Sequence, residues 1–172
     1  MAEVGVEGLD KLYASIDTCI DEVGREARQG LKKAGMQIIA DAQRNLRTAG
    51  YNGGTLNNTG RLSQSGKVQE TKDGAIDAGF FSGDGERGYA AVVEYGSKKH
   101  WFPPVDALRA WVYKKLRVSN EEVDSAAFLV GRAIKRRGLS PHPFFVPAVN
   151  KNKRAVSKAI TDAVNKVTNR NR

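Results

Sequence analysis

From Leu9 onward the apolar positions fall at Leu12, Ile16, Ile20, Val23, Ala27, Leu31, Ala34, Ile38, Ala42 and Leu46, three or four residues apart throughout. A side chain returning to one face every ~3.7 residues marks an amphipathic helix about ten turns long. That period lies nearer an eleven-residue than a seven-residue repeat, so it predicts a nearly straight rod on a sheet or bundle, not a left-handed coiled coil. Gly24, Gly30 and Gly35 each cost up to ~1 kcal/mol against alanine and are places where the rod could kink or break. Cys19 sits just off the stripe and reads as a buried or half-buried structural residue.

The helical pattern stops at Thr48. Residues 48–66 are rich in glycine and asparagine without periodicity, which predicts a long loop. It lacks the Gly-Lys-Ser/Thr ending of a phosphate-binding loop. Lys67–Thr71 and Ala75–Phe80 flank Lys72-Asp73-Gly74, a strong hairpin signal. Tyr89–Gly96, rich in β formers, reads as a further strand. The expectation is an antiparallel sheet of at least three strands, with the first helix covering one face.

Residues 101–138 read as a helical insertion. Pro103-Pro104 opens a helix to Leu116 with Val105, Leu108, Trp111, Val112 and Leu116 on one side. Ser119 and Glu122 have the spacing of a capping box for a second helix to Arg137, closed by Gly138. Next comes the strap Pro141–Val149. Its three prolines predict extended chain up to Pro147, where the last helix should begin. Phe144 and Phe145 would point to opposite sides of that strap; one of them, with Val146, is expected to pin it across the sheet near Tyr95. The last helix should reach about Thr168, leaving 169–172 frayed, as 1–8 should be flexible. The whole, 1–172, reads as one α+β domain: a long N-terminal helix packed on a small antiparallel sheet, with an inserted helical pair and a C-terminal helix.

Charge changes the picture more than composition does. The 172 residues are 40% hydrophobic and 27% charged, ordinary proportions that argue against disorder throughout. The formal charge of +9 is unevenly placed: 98–172 hold 17 Lys/Arg against 5 Asp/Glu, and 1–97 hold 11 against 14. Such asymmetry fits contact with nucleic acid, with acidic protein surfaces, or with complementary copies of the chain itself. No apolar run approaches the roughly 18 to 20 residues that span a bilayer, so no membrane partner is expected. The first residues lack the features of a signal peptide, so a cytoplasmic product made without export is expected. One cysteine excludes an internal disulfide and a thiolate metal cluster.

No catalytic, cofactor-binding or metal-binding set is expected. Glu94 is the one carboxylate in the Tyr89–Gly96 segment. A catalytic acid there would want a partner, and His100 is the nearest; a structural salt bridge or hydrogen bond to the chain after Tyr95 is the better reading. Lys135, Arg136 and Arg137 occupy the last turn of their helix, where cations also suit the helix dipole. Basic residues mixed with Trp101, Phe102, Trp111 and Tyr113 leave open a nucleic-acid contact without sequence readout, although Trp111 falls on the apolar face of its helix.

Three motifs in order carry a family resemblance: Thr59-Gly60-Arg61-Leu62-Ser63-Gln64-Ser65 after the long helix, Tyr89-Ala90-Ala91-Val92-Val93-Glu94-Tyr95-Gly96-Ser97, and Pro143-Phe144-Phe145-Val146-Pro147-Ala148-Val149. Over about residues 9–168 the chain resembles the HK97 gp10-like bacteriophage proteins, neck or tail-completion proteins of long-tailed phages. Ser97 stands where threonine is commoner. The resemblance implies a virion protein, assembled in the host cytoplasm, that forms a homo-oligomeric ring, commonly a hexamer, at the top of the tail. The ring would end the tail tube and join it to the head connector. Its partners would be a tail tube or tail terminator protein, a head-completion or connector protein, and passing DNA held non-specifically. Six copies would carry about +54, a repulsion that acidic partners, screening or DNA must offset. Candidate subunit or partner contacts are Arg61, Tyr95, Lys98, Lys99, His100, Phe144, Phe145, Lys151 and Arg154. Lys135, Arg136 and Arg137 are candidates to face DNA or an acidic neighbour. A basic nucleic-acid-associated module acting as monomer or dimer stays open beside the ring.

Overall fold

The computed structural model describes residues 8–48, 60–81 and 88–170. Helix α1 runs unbroken from Leu9 to Thr48, about 60 Å at 1.5 Å per residue. Two of its glycines are points of close approach. A Cβ on Gly30 would stand 3.0 Å from that of Ala159, and one on Gly35 would stand 3.2 Å from Val68 and 3.3 Å from Ala78. The rod is therefore notched where it meets its two neighbours, and the helix-propensity cost of glycine is offset by close packing.

After one helical turn, α2 (Arg61–Gln64), which lies inside the stretch expected to be loop, come β1 (Gly66–Glu70) and β2 (Ile76–Phe80). They pair antiparallel with Val68 opposite Ala78, and the turn closes through Gly74 N–H to Thr71 O at 2.9 Å. Among the described residues the sheet has these two strands only. Residues 49–59, most of the expected loop, and the expected flexible ends 1–7 and 171–172 lie outside the described residues.

The third strand is not there. Tyr89–Tyr95 forms a helix, α3. Ala90 and Val93, three residues apart, both pack on the core, as helical spacing allows and strand alternation does not. The β preference of Val and Tyr is contextual, and here the packing of Ala90 and Val93 on the core decides against it.

Helices α4 (Val105–Leu116) and α5 (Val123–Arg137) form the inserted pair and pack chiefly on each other. Ser119 donates its N–H and hydroxyl to the Glu122 carboxylate, at 3.2 and 2.9 Å. That exchange closes a turn ahead of α5, so the helix starts at Val123. The last helix, α6, spans Phe145–Arg170. It starts two residues before Pro147 because a proline in the first turn gives up only an N–H that has no partner within the helix. It also continues past the expected fray point at 169.

α6 lies antiparallel along α1: Asn45 meets Phe144, Asp41 meets Asn152, Gly30 meets Ala159, and Glu26 meets Lys166. The core sits at the C-terminal end of α1, where Ile38, Ala42 and Leu46 enclose Leu62, Phe144 and Ala148. Phe80 of β2 packs edge-on against Phe144 at 5.0 Å and against Phe145 at 5.9 Å between ring centroids. Such aromatic pairs add about 0.5–1.5 kcal/mol each beyond the area they bury.

Candidate functional site

The polar chemistry of the chain is concentrated where α3, the strap and α6 meet. Glu94 is buried at the end of α3. One carboxylate oxygen accepts the N–H groups of Phe144 and Phe145, both at 2.8 Å, and the other accepts that of Val146 at 3.0 Å. The first turn of a helix leaves four N–H groups without internal partners. Here three are taken by one carboxylate, and Pro147 has none to offer. The negative charge also faces the positive end of the α6 dipole. Glu94 is thus a cap supplied from fifty residues away; the expectation of a hydrogen bond to the chain after Tyr95 holds, and the carboxylate is fully engaged.

Further bonds hold the strap on both sides. His142 donates its N–H to Val93 O at 2.8 Å, and Asn45 donates its side-chain N–H to Phe144 O at 2.9 Å. Ahead of it, Ser97 and Leu139 exchange backbone bonds of 3.0 and 3.2 Å. Gly96 makes that approach possible: its φ is +74°, and a Cβ there would collide with the carbonyl oxygen of Leu139.

A second polar knot joins α1 to α6. Asp41, also buried, accepts from Arg44 at 2.7 Å and from the Asn152 amide at 2.9 Å, with Lys151 at 3.3 Å. The Asn152 hydrogen bond and the two cations hold its carboxyl below the usual aspartate range, against the opposing effect of burial.

The candidate contact residues separate into groups. Phe144 is enclosed in the core and offers no surface; Phe145 is half-buried beside Phe80; Val146 is exposed and pins nothing. Lys98, Lys99 and His100 leave the Ser97–Leu139 neck exposed, and the His100 N–H donates to Lys135 O at 2.7 Å. That bond brings them beside the exposed Lys135, Arg136 and Arg137 at the end of α5, so residues far apart in sequence form one basic cluster. Arg61 and Tyr95 are exposed elsewhere; Arg154 is exposed along α6, and Lys151 is partly engaged by Asp41. His100 and Glu94 do not form a pair.

Sequence reasoning missed Asp41 and Asn152. The signal was present: Asn152 interrupts the helical series Ala148, Asn152, Val156, and a polar residue at a core-facing step implies a buried partner. Among the described residues no group of His, Cys, Asp and Glu could hold a metal ion, and no helix is long and apolar enough to cross a membrane. A groove of about 470 Å³ between α1 and α6 is open and lined by Glu26, Lys33, Lys158, Asp162 and Lys166 among others.

Capped helix ends and interhelical knots are features of a scaffold. Residues 10–96 match the model of a family of bacteriophage tail components, so the fold is that of a phage tail-related structural protein of the virion. The chain belongs to the HK97-gp10-like family. The match reaches from the start of α1 to Gly96, short of the 9–168 expected from motifs, and stops at the neck of the insertion. No curated protein and no solved structure matches the chain.

Proposed function

We propose that this protein is a tail-completion component of the phage neck: copies of it, six in the simplest case, form a ring at the top of the tail. The ring ends the tail tube, joins it to the head connector, and lets DNA pass. The observation that carries this reading is the family match over residues 10–96. The site agrees with it, because the buried carboxylates are used in holding helices together and the cluster beside the Ser97–Leu139 neck is cationic and exposed. The role asks for no catalytic group. Cryo-electron microscopy of purified virions tests it. A ring of this chain between connector and tube is the expected result, and copies along the tube, or none in the particle, would refute it.

The basic cluster at Lys98–His100 and Lys135–Arg137 favours a second reading, a nucleic-acid-associated module acting as monomer or dimer. A strictly monomeric chain that binds duplex DNA tightly, with affinity falling steeply with salt, would decide for it.

A further inference from the structure

Every residue of α1 from Leu9 to Thr18 is exposed. The helix carries its apolar stripe beyond the end of α6, so Leu9, Leu12, Ile16 and Ile20 are 42, 55, 45 and 63% exposed, with Tyr13 at 61% beside them. Helical spacing places Asp10, Asp17 and Asp21 together along one flank of that stripe. None of the three enters an ion pair among the described residues. The result is an acidic, apolar arm about 18 Å long that the described residues leave uncovered.

The opposite chemistry stands on the insertion. The outward side of α5 exposes Phe128 at 49% and Leu129 at 60%. Arg132, Lys135 and Arg136 lie on the same side by spacing, with no ion pair among the described residues. The two faces cannot meet within one molecule. The neck that carries α5 is fixed near Asn45 through Phe144, and Ile20 is 25 residues down the same rod, about 37 Å away.

We infer that the α1 arm of one copy docks on the α5 face of the next, apolar stripe on Phe128 and Leu129, aspartates against Arg132, Lys135 and Arg136. This rests on the ring reading and names its contact. Different surfaces at opposite ends of one molecule make a head-to-tail interface, the kind that closes into a ring. Arm against arm would set two apolar stripes together but bring two rows of aspartate near each other. The exposed pair on α6, Ile160 and Val164, is the competing receptor on the same chain.

Cysteine cross-linking in a Cys19→Ser background tests this, on full-length protein in solution and in particles from a complemented infection. Ile16→Cys chains are mixed with Leu129→Cys chains, with Val164→Cys chains, or kept alone. The expected result is a disulfide between Ile16→Cys and Leu129→Cys only. Disulfides of Ile16→Cys with itself or with Val164→Cys, or none in either setting, would overturn the inference. As a second readout, Asp17→Arg with Asp21→Arg should weaken self-association about tenfold, and adding Arg132→Glu with Arg136→Glu should restore most of it. Equal loss in the quadruple variant would count against it. A neck ring seen by microscopy without these cross-links removes the contact and leaves the ring reading intact; absence of the chain from the neck removes that reading itself.

Discussion

Removing the Glu94 carboxylate should cost more than any exposed ion pair in the molecule. Its two oxygens take three N–H groups, from Phe144, Phe145 and Val146, at 2.8, 2.8 and 3.0 Å. Hydrogen bonds to a charged acceptor contribute about 1.5–3 kcal/mol each, but burying the carboxylate offsets part of that sum. Glu94→Ala leaves three donors unsatisfied at the start of α6, one of them on the buried Phe144, and should destabilise the fold by about 3–5 kcal/mol. Glu94→Gln separates geometry from charge. Its carbonyl oxygen can keep the Phe144 and Phe145 bonds, while its amide nitrogen meets the Val146 N–H donor to donor. One bond and the charge–dipole attraction are lost, about 2 kcal/mol. With a urea slope near ~2 kcal/mol per molar, the midpoint should fall by about 2 M for alanine and about 1 M for glutamine. Far-UV circular dichroism of the full chain across a urea series reads both. Midpoints for both variants within a few tenths molar of wild type would refute the idea that this carboxylate holds the helix. Equal losses for the two would refute the assignment of two bonds to one oxygen.

Phe144→Ala should lose about 3–5 kcal/mol and Phe145→Ala roughly half as much, since only the first is enclosed, again read from urea midpoints. Gly96→Ala should cost more than ~2 kcal/mol, because the side chain is strained at φ +74° and strikes the Leu139 carbonyl; a neutral result would mean the Ser97–Leu139 neck can open freely. Asp41 has a lowered carboxyl pKa in the fold, so its contribution is complete above the ordinary value near ~4 and is lost as pH falls through the lowered one. Wild type should therefore exceed Asp41→Asn in stability at neutral pH, and the gap should close in acid. A gap independent of pH would show that the ion pairs contribute nothing.

The elements with a strong local period were legible from the residues: α1, the hairpin, the inserted pair and the last helix all lie close to where the apolar spacing put them. The misreadings share a cause. Tyr89–Tyr95 has the composition of a strand and is a helix because Ala90 and Val93 face a core built by α1 and the strap, which no local pattern reveals. Pro141–Val149 reads as extended until Pro147, yet α6 starts at Phe145 because a carboxylate fifty residues earlier supplies the acceptors that the first turn lacks. The site was half legible for the same reason. Glu94 stood out as a lone carboxylate, while Asp41 and Asn152 were hidden because each looks unremarkable until the two helices are laid side by side. The stripe on α1 was visible, but not that the core uses only part of it.

The neck between Ser97 and Leu139 has a consequence for how this chain can vary. Both strands of the chain are fastened there, by the paired backbone bonds and by Glu94 and Val93 a few residues inward. Residues 98–138 are then an excursion that departs and returns at one fixed point, and the entropy of closing it changes only slowly with its length. The core is therefore indifferent to how long the excursion is. Its helices can lengthen, shorten or melt on their own while α1, the hairpin and α6 stay folded. That leaves the inserted pair free to be reshaped for a new neighbour, with a change of partner written entirely outside the fold that carries it.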